Sequence, residues 1–177
     1  MDVIYLLLTY ALAGITLKAA DVYGEVKTDL KAYGFSIAAA FLFWLLLTES
    51  PSTSTFMVAV IIGCVASLKV NRPNLIVGLV IIAILSATLG FHTPIIWPLI
   101  TLASAAYLDE FAHERSSKWK HSFQLFFRYR CLLKVTAVII ALIGAVTLPS
   151  MVGFLIFDIC YDLSGICLER KASTKPN

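Results

Sequence analysis

The run Ile76-Val-Gly-Leu-Val-Ile-Ile-Ala-Ile-Leu85 decides the fold class, because no position in it carries a charged or strongly polar side chain. Inside a bilayer only helices and closed β-barrels satisfy every backbone polar group. A barrel strand would alternate apolar and polar residues, and this run does not alternate. The run Phe56-Met-Val-Ala-Val-Ile-Ile62 behaves in the same way. Both runs therefore predict helices rather than strands.

The composition of the whole chain extends this prediction. Of its 177 residues, 59% are hydrophobic and 14% are charged, and the mean hydropathy is +0.87. Soluble domains are about 45–50% apolar and about 25% charged, so the surface of this protein is expected to face lipid. The sequence predicts an all-α, polytopic transmembrane helix bundle that forms one integral membrane domain over 1–177. The net charge of +3 is small and gives no indication of a nucleic-acid partner.

Charges and turn residues divide the chain into about seven short apolar segments. The predicted spans lie near 3–20, 33–48, 55–68, 74–91, 95–108, 131–147 and 150–167. Each is somewhat shorter than the roughly 20 residues that cross a hydrocarbon core, so the helix ends are expected to extend into their polar flanks. The stretch from Leu132 to Leu168 fits either one long broken helix or two helices joined at Leu148-Pro149-Ser150.

The distribution of Lys and Arg predicts the orientation of a seven-span chain. A seven-span chain brings the loops 18–32, 69–73 and 109–130 and the tail after Leu168 to one side. These segments hold all the basic residues except Lys134, which lies just inside the next helix on the same side. The loops on the other side contain neither Lys nor Arg. Because cytosolic loops are enriched in positive charge, we expect the N-terminus outside, the C-terminus in the cytosol, and a location in the cell membrane.

The segment 116–130 interleaves basic and aromatic residues. Such a pattern is typical of a helix in the headgroup layer, with its aromatic side chains directed inward and its basic ones on anionic lipid. We therefore expect membrane lipids with anionic headgroups as partners at 116–130. The same surface could also recruit a lipid-phosphate substrate.

Acidic residues recur at helical spacing in three places. Asp21 and Glu25 end the first predicted helix, Asp109 and His113 end the fifth, and Asp158 and Asp162 lie within the seventh. A spacing of four residues puts both members of each pair on one face of a helix. An ionisable residue inside a membrane helix is costly and is usually functional, which applies most directly to Asp158 and Asp162. The surface pairs have a simpler interpretation as solvated carboxylates.

A seven-span chain would bring these three places to one cytosol-facing pocket. Carboxylate oxygens are the ligands that Mg²⁺ prefers, often together with a substrate phosphate. The predicted metal ligands are Asp21, Glu25, Asp109, Asp158 and Asp162. The predicted catalytic residues are Asp158, Asp162, Asp109 and His113. Lys18 and Arg115 are predicted to bind substrate phosphate, although Lys18 could equally neutralise Asp162 or snorkel to the interface.

The string Asp21-x-x-x-Glu25-x-x-x-Asp29 loosely resembles the aspartate-rich motifs of membrane-embedded prenyltransferases of the UbiA type. That resemblance implies a prenyl diphosphate held through Mg²⁺. It covers only these few residues, the Asn-Asp start of the motif is absent, and the spacing differs. It keeps isoprenoid-phosphate chemistry among the candidates.

A faint internal repeat aligns Ile15–Glu25 with Ile100–Glu110, with five of eleven positions identical. It would relate the first helix to the fifth in a parallel arrangement of three, one and three helices, which some small transporters have.

Three functions are therefore open. The first is an enzyme, a Mg²⁺-dependent transferase or hydrolase acting on a lipid or isoprenoid phosphate. The second is a small cation- or proton-coupled transporter or channel. The third is a structural membrane subunit. An enzyme should gather its carboxylates at a cavity open sideways to lipid, and a transporter should have a central path lined by both halves.

Overall fold

A computed structural model describes residues 2–26, 29–68, 70–115 and 131–173, without the side chains of 26, 113–115 and 169–173. Over these residues the chain is all-α, as predicted. Its seven helices are α1 (Val3–Val26), α2 (Leu30–Leu47), α3 (Pro51–Ala66), α4 (Pro73–Leu89), α5 (Ile96–Arg115), α6 (Cys131–Leu142) and α7 (Leu148–Ser173).

The number of helices over the described residues agrees with the sequence prediction, and the differences are at the ends. The apolar pattern underestimates the lengths of α1, α5 and α7, because these helices continue into polar residues. The stretch after Cys131 is two helices. α6 ends at Leu142, Gly144 adopts a positive φ of 77°, and α7 then begins with Pro149 in its first turn. Proline is favoured there because the first-turn N–H groups have no partner within the helix.

Three helices are long and apolar enough to cross a membrane: Val3–Glu25, Leu30–Leu47 and Leu148–Leu168. Three others are apolar but shorter: Pro51–Ala66, Pro73–Leu89 and Cys131–Leu142. Large apolar side chains such as Ile4, Ile84 and Ile139 are exposed on the outside of the bundle. Such a surface fits surroundings of lipid. The seven-span orientation with the N-terminus outside stays a prediction from the basic residues.

α1 and α7 lie side by side and run in the same direction. Gly153 lies directly against the ring of Tyr10, and Gly14 lies against the carbonyl oxygen of Phe157. One turn further on, the hydroxyl of Tyr161 donates to Asp21 at 3.2 Å. Both residue numbers increase together along this contact, so the helices are parallel. The two glycines permit the close approach because neither has a Cβ.

Other neighbouring helices are also parallel. Thr53 and Phe56 of α3 contact Ser150 and Phe154 of α7, and Gly63 of α3 contacts Ala106 of α5. α2 and α4 run together from Ser36–Gly78 to Trp44–Gly90. The helices therefore alternate in direction along the chain. We call the end where α1, α3, α5 and α7 terminate the basic end, and the other the opposite end.

Two features hold the opposite end together. The rings of Phe56 and Phe154 stack with centroids 5.0 Å apart. A cluster of hydroxyl groups joins the starts of α3 and α7: Thr53 and Ser150 are 2.9 Å apart, Ser150 and Thr147 are 2.8 Å apart, and Ser52 accepts from the Thr147 N–H at 3.1 Å. Buried hydroxyls are stable when they are bonded to one another in this way.

Candidate functional site

A cavity of about 510 Å³ opens at the basic end of the bundle. It reaches the surface beside Asn71 and Arg72, which precede α4, line the cavity and are exposed. Residues of α1, α2, α3, α4, α5 and α7 supply its wall. Its size falls within the range of about 300–1,000 Å³ that is typical of small-molecule sites.

The wall of the cavity is polar near the basic end and apolar further in. Among the described residues, six charged side chains line it: Lys18, Asp21, Glu25, Arg72, Glu110 and Asp162. The inner wall is formed by apolar residues from the middle of the helices: Leu17, Ala39, Ala40, Phe43, Val60, Ile61, Leu79, Ile82 and Phe157. The cavity therefore suits a ligand with one charged and one apolar part.

Asp21 is the centre of a small group of side chains on one wall of the cavity. Its Oδ2 atom lies 3.4 Å from Nζ of Lys18 and accepts a hydrogen bond of 3.2 Å from Tyr161. Nζ of Lys18 also lies 5.3 Å from the centroid of the Tyr161 ring, within the range of a cation–π contact. Lys18, which the sequence predicts to bind substrate phosphate, thus contacts Asp21 and Tyr161.

Asp158 lies deeper and pairs with a residue of α6. Nζ of Lys134 is 2.6 Å from Oδ2 of Asp158 and 3.8 Å from Oδ2 of Asp162. The Asp158 side chain is 4% exposed and that of Lys134 is 25% exposed. A second cavity of about 30 Å³ touches both Asp158 and Glu110, and Glu110 also lines the large cavity. Asp162 and Glu110 therefore lie between the large cavity and the buried ion pair of Asp158 with Lys134.

The carboxylate of Asp109 is buried and accepts hydrogen bonds from the backbone of α6. It is 1% exposed, and its carboxylate accepts hydrogen bonds from Leu132 N–H at 3.3 Å and Leu133 N–H at 2.7 Å. These N–H groups belong to the first turn of α6, which has no backbone acceptors of its own. Asp109 thus caps a helix that follows it by more than twenty residues, and it does not line the large cavity.

The structure does not describe the side chains of two predicted site residues, His113 and Arg115. The predicted interfacial segment 116–130 lies outside the described residues as well. Their assigned roles, acid–base catalysis, phosphate binding and contact with anionic headgroups, stay predictions.

The five predicted metal ligands are divided between places. Asp21, Glu25 and Asp162 line the large cavity, Asp158 pairs with Lys134 and Asp109 caps α6. Among the His, Cys, Asp and Glu side chains in the described ranges, no group of three is arranged to hold a metal ion. Magnesium binding stays a prediction, without a preformed ligand set in this part of the chain.

Sequence reasoning missed Lys134, Arg72 and Tyr161 as parts of the site. Lys134 carried the signal that singled out Lys18, a base within an apolar helix. The positions of Arg72 and Tyr161 depend on how α4 and α7 pack, which the spacing of charges does not reveal.

No family model, curated protein or solved structure matches this chain. Its function is therefore argued from its own residues and their arrangement.

Proposed function

We propose that the protein is a small membrane transporter built from two related three-helix units, α1–α3 and α5–α7, with a cation-binding cavity between them. One observation carries the proposal: residues that occupy equivalent positions in the two units line the same cavity. Glu25 and Glu110 are equivalent in the repeat of Ile15–Glu25 and Ile100–Glu110, and both line the cavity.

The third helix of each unit extends the repeat. The start of α3, Pro51-Ser-Thr-Ser-Thr-Phe56, aligns with the start of α7, Pro149-Ser-Met-Val-Gly-Phe154, and shares its Pro, Ser and Phe. The same alignment pairs Cys64 with Asp162, and these two residues also line the cavity. Short apolar helices can match by chance, so the contacts between them are the more informative comparison.

The contacts between the units repeat as well. Tyr10 lies against Gly153, and their equivalents, Ile95 and Thr55, are joined by a hydrogen bond of 2.9 Å. Asp21 contacts Tyr161, and the equivalents of that pair are Ala106 and Gly63, which also touch.

Phe56 and Phe154 are equivalent to each other, and they stack on each other. A residue meets its own equivalent only next to a two-fold axis. Such an axis would pass between these rings and run along the bundle.

α4 fits the role of a linker between the units. It packs on α2 and, less extensively, on α1. A three-helix unit begins and ends at opposite ends of the bundle, so one extra helix is needed before a parallel copy can begin. Parallel repeats related by an axis along the membrane normal occur in transporters, which bind their substrate at the interface between the repeats.

This arrangement favours transport over the enzyme hypothesis. A metal-dependent enzyme requires its carboxylates to converge on an ion, and the described carboxylates are spread around the cavity wall. A transporter requires a binding space between two halves that can move against each other. Among the described side chains of the wall, acidic ones outnumber basic ones, which favours a cation as the transported species.

The two ends of the bundle differ as they would in a transporter open to one side. The cavity reaches the surface at the basic end through Asn71 and Arg72. At the opposite end the stack of Phe56 on Phe154 and the bond between Thr53 and Ser150 lie between the units. Transport would require these contacts to separate while the basic end closes.

Access to Cys64 tests this proposal without knowledge of the transported species. A variant that keeps Cys64 as its only cysteine is treated with a membrane-impermeant thiol reagent, applied separately from each side of oriented vesicles. We expect labelling from both sides, because a transporter exposes its cavity alternately. Labelling from the basic end alone would contradict the proposal and favour an enzyme site open to one side.

A disulfide provides the matched control. Thr53→Cys and Ser150→Cys place two thiols where the hydroxyl oxygens are 2.9 Å apart. Oxidation should abolish labelling of Cys64 from the opposite end and preserve labelling from the basic end. Reduction should restore labelling of Cys64 from the opposite end. If labelling from the opposite end survives oxidation, access does not depend on separation of α3 and α7.

A further inference from the structure

We infer that the cavity binds a single-chain amphiphile that enters sideways from the bilayer, with its polar head at the basic end and its apolar chain between α3 and α4. That this amphiphile is carried across the membrane rests on the proposed function. That it binds rests on the depth, the lining and the opening of the cavity.

The depth of the cavity matches the length of a lipid chain in one leaflet. Along α4 its lining continues from Arg72 through Leu75 and Leu79 to Ile82. This step of about ten residues corresponds to roughly 15 Å of helix. Half of a hydrocarbon core of about 30 Å has the same length. A ligand that fills the cavity would therefore lie beside α4 as a chain of one leaflet does.

The wall changes from polar to apolar along that depth. Glu25 and Arg72 line the cavity at the basic end, whereas Val60 of α3 and Ile82 of α4 line it further in. A wholly polar ligand would be buried against these apolar side chains without hydrogen-bond partners. An amphiphile suits both parts of the wall. Because the basic end offers charges of both signs, the ligand has to match the change in polarity and not one particular charge.

The cavity is open sideways between α3 and α4. Both helices line it, yet over the described residues α4 packs on α1 and α2 and on neither α3 nor α5. α2 packs on both α3 and α4 and forms the back of the cavity. The front, between α3 and α4, is therefore not closed by any helix of the described ranges.

The outer surface on both sides of this opening is apolar. Ile62 and Val65 of α3 are exposed, and so are Ile76 and Val80 of α4. A chain could pass from surrounding lipid to the inner wall without leaving apolar surroundings, while its head stays at the basic end. A sideways opening is expected of an enzyme that acts on a lipid, and a transporter needs one as well when its substrate comes from the bilayer.

The size of the cavity favours one chain over two. Its volume of about 510 Å³ lies in the lower half of the range of about 300–1,000 Å³ that is typical of small-molecule sites. The deepest lining residues of α2 and α7 are Phe43 and Phe157. Their rings meet edge to face with centroids 5.7 Å apart, so this pair closes the inner end between the two helices and limits the length of the chain.

Photolabelling from the membrane tests the inference. The purified protein is placed in vesicles of dioleoylphosphatidylcholine that contain a small fraction of lysophosphatidylcholine with a diazirine in mid-chain. After illumination the modified residues are identified by mass spectrometry. We expect labelling at Val60, Ile61, Leu79 or Ile82 that saturates. The same lipid without diazirine should displace it, and glycerophosphocholine, which has the same head and no chain, should not.

Two results would overturn the inference. Labelling that does not saturate, and is confined to outward side chains such as Ile62 and Val80, would show that lipid chains stay outside and that something else fills the gap, such as another part of the chain or a second copy. Displacement by glycerophosphocholine would show that the site recognises a polar head alone.

A matched pair of variants on α4 places the chain in the cavity. Ile82→Trp fills the inner part and should lower the saturable labelling of Val60 by about tenfold, the effect of an overlap that costs about 1.4 kcal/mol. Ile84→Trp should leave it unchanged, because Ile84 is exposed and does not line the cavity. Equal labelling in the two variants would overturn the inference. The map of labelled residues needs only the wild-type protein, so it decides the matter even if Ile82→Trp fails to fold.

Access to Cys64 separates this inference from the proposed function. Saturable labelling in the cavity together with access to Cys64 from the basic end alone would leave the inference standing and count against transport. Access to Cys64 from both sides without saturable labelling would leave the transporter standing and overturn the assigned ligand class.

Discussion

Nζ of Lys134 lies 2.6 Å from Oδ2 of Asp158, which joins α6 to α7 through an ion pair. The sequence places Asp158 within an apolar run, where a carboxylate needs a partner. The ion pair with Lys134 changes the stability that we expect of variants at Asp158. A partly buried ammonium would be left behind if the carboxylate alone were removed.

We therefore predict that Asp158→Leu lowers stability, towards the lower end of the roughly 3–5 kcal/mol that follow from removing one partner of a buried pair. The double variant Lys134→Met/Asp158→Leu should recover most of the loss, since it removes the buried carboxylate together with the ammonium, and Asp162, which also lies 3.8 Å from Lys134, is 36% exposed. Thermal unfolding in detergent measures both. An Asp158→Leu protein as stable as wild type would show that the pair contributes nothing to folding.

Gly14→Ala should destabilise the protein, because a Cβ at this position would collide with the backbone carbonyl of Phe157, which cannot move without shifting α7. We expect a loss of about 1–3 kcal/mol, the usual effect of overpacking. Gly34→Ala in α2 is the matched control, since nothing lies within 4 Å of its added Cβ. There the better helix propensity of alanine should stabilise by up to about 1 kcal/mol. Melting temperatures that move in the same direction for both variants would contradict the close contact of α1 with α7.

Asp109→Ala should lower stability by about 0.5–2 kcal/mol, as loss of a helix cap does, and should leave labelling of Cys64 unchanged. Its carboxylate contacts the α6 backbone, whereas its neighbour Glu110 lines the cavity together with Cys64. Thermal unfolding and thiol labelling of Cys64, both measured on Asp109→Ala, distinguish a helix cap from a residue of the cavity. A loss of Cys64 labelling without a loss of stability would restore Asp109 to the functional site.

The distribution of the basic residues predicts the orientation of the chain. Tags placed at the two ends should be accessible from opposite sides of the membrane, the C-terminal one from the cytosol. Protease protection in oriented vesicles measures this directly. A C-terminal tag that is cleaved from outside the cell would contradict the seven-span interpretation.

Much of the fold could be predicted because the apolar pattern of the sequence restricts the structures open to the chain. Long apolar runs without alternation can only be helices, and the described ranges contain them where the runs predicted them. Helix ends were harder to predict, since α1 and α7 continue into residues that carry charge. The apolar pattern ends where charged residues begin, whereas the backbone hydrogen bonds of the helix continue through them.

The site was predicted only in part, for a related reason. Spacing shows which side chains share a helical face, and Asp21 and Glu25, which it puts on one face of α1, both line the cavity. It cannot show which helices become neighbours. Asp109 and Glu110 are adjacent in sequence, yet one carboxylate meets the start of α6 and the other the cavity. The repeat in α3 and α7 became recognisable only after Phe56 was found stacked on Phe154.

In the proposed two-unit architecture, α4 bears on the history of the protein. A single three-helix unit could have associated with an identical copy around the same axis, with each polypeptide inserted independently in one orientation. Such an ancestor would have needed no fourth helix. Fusion of two duplicated genes would have inverted the second unit unless another crossing was gained at the junction. Asn74, which donates to the Ala20 carbonyl at 2.8 Å and to Ser36 at 3.0 Å, would then be a later acquisition that fastened a new helix to an older surface.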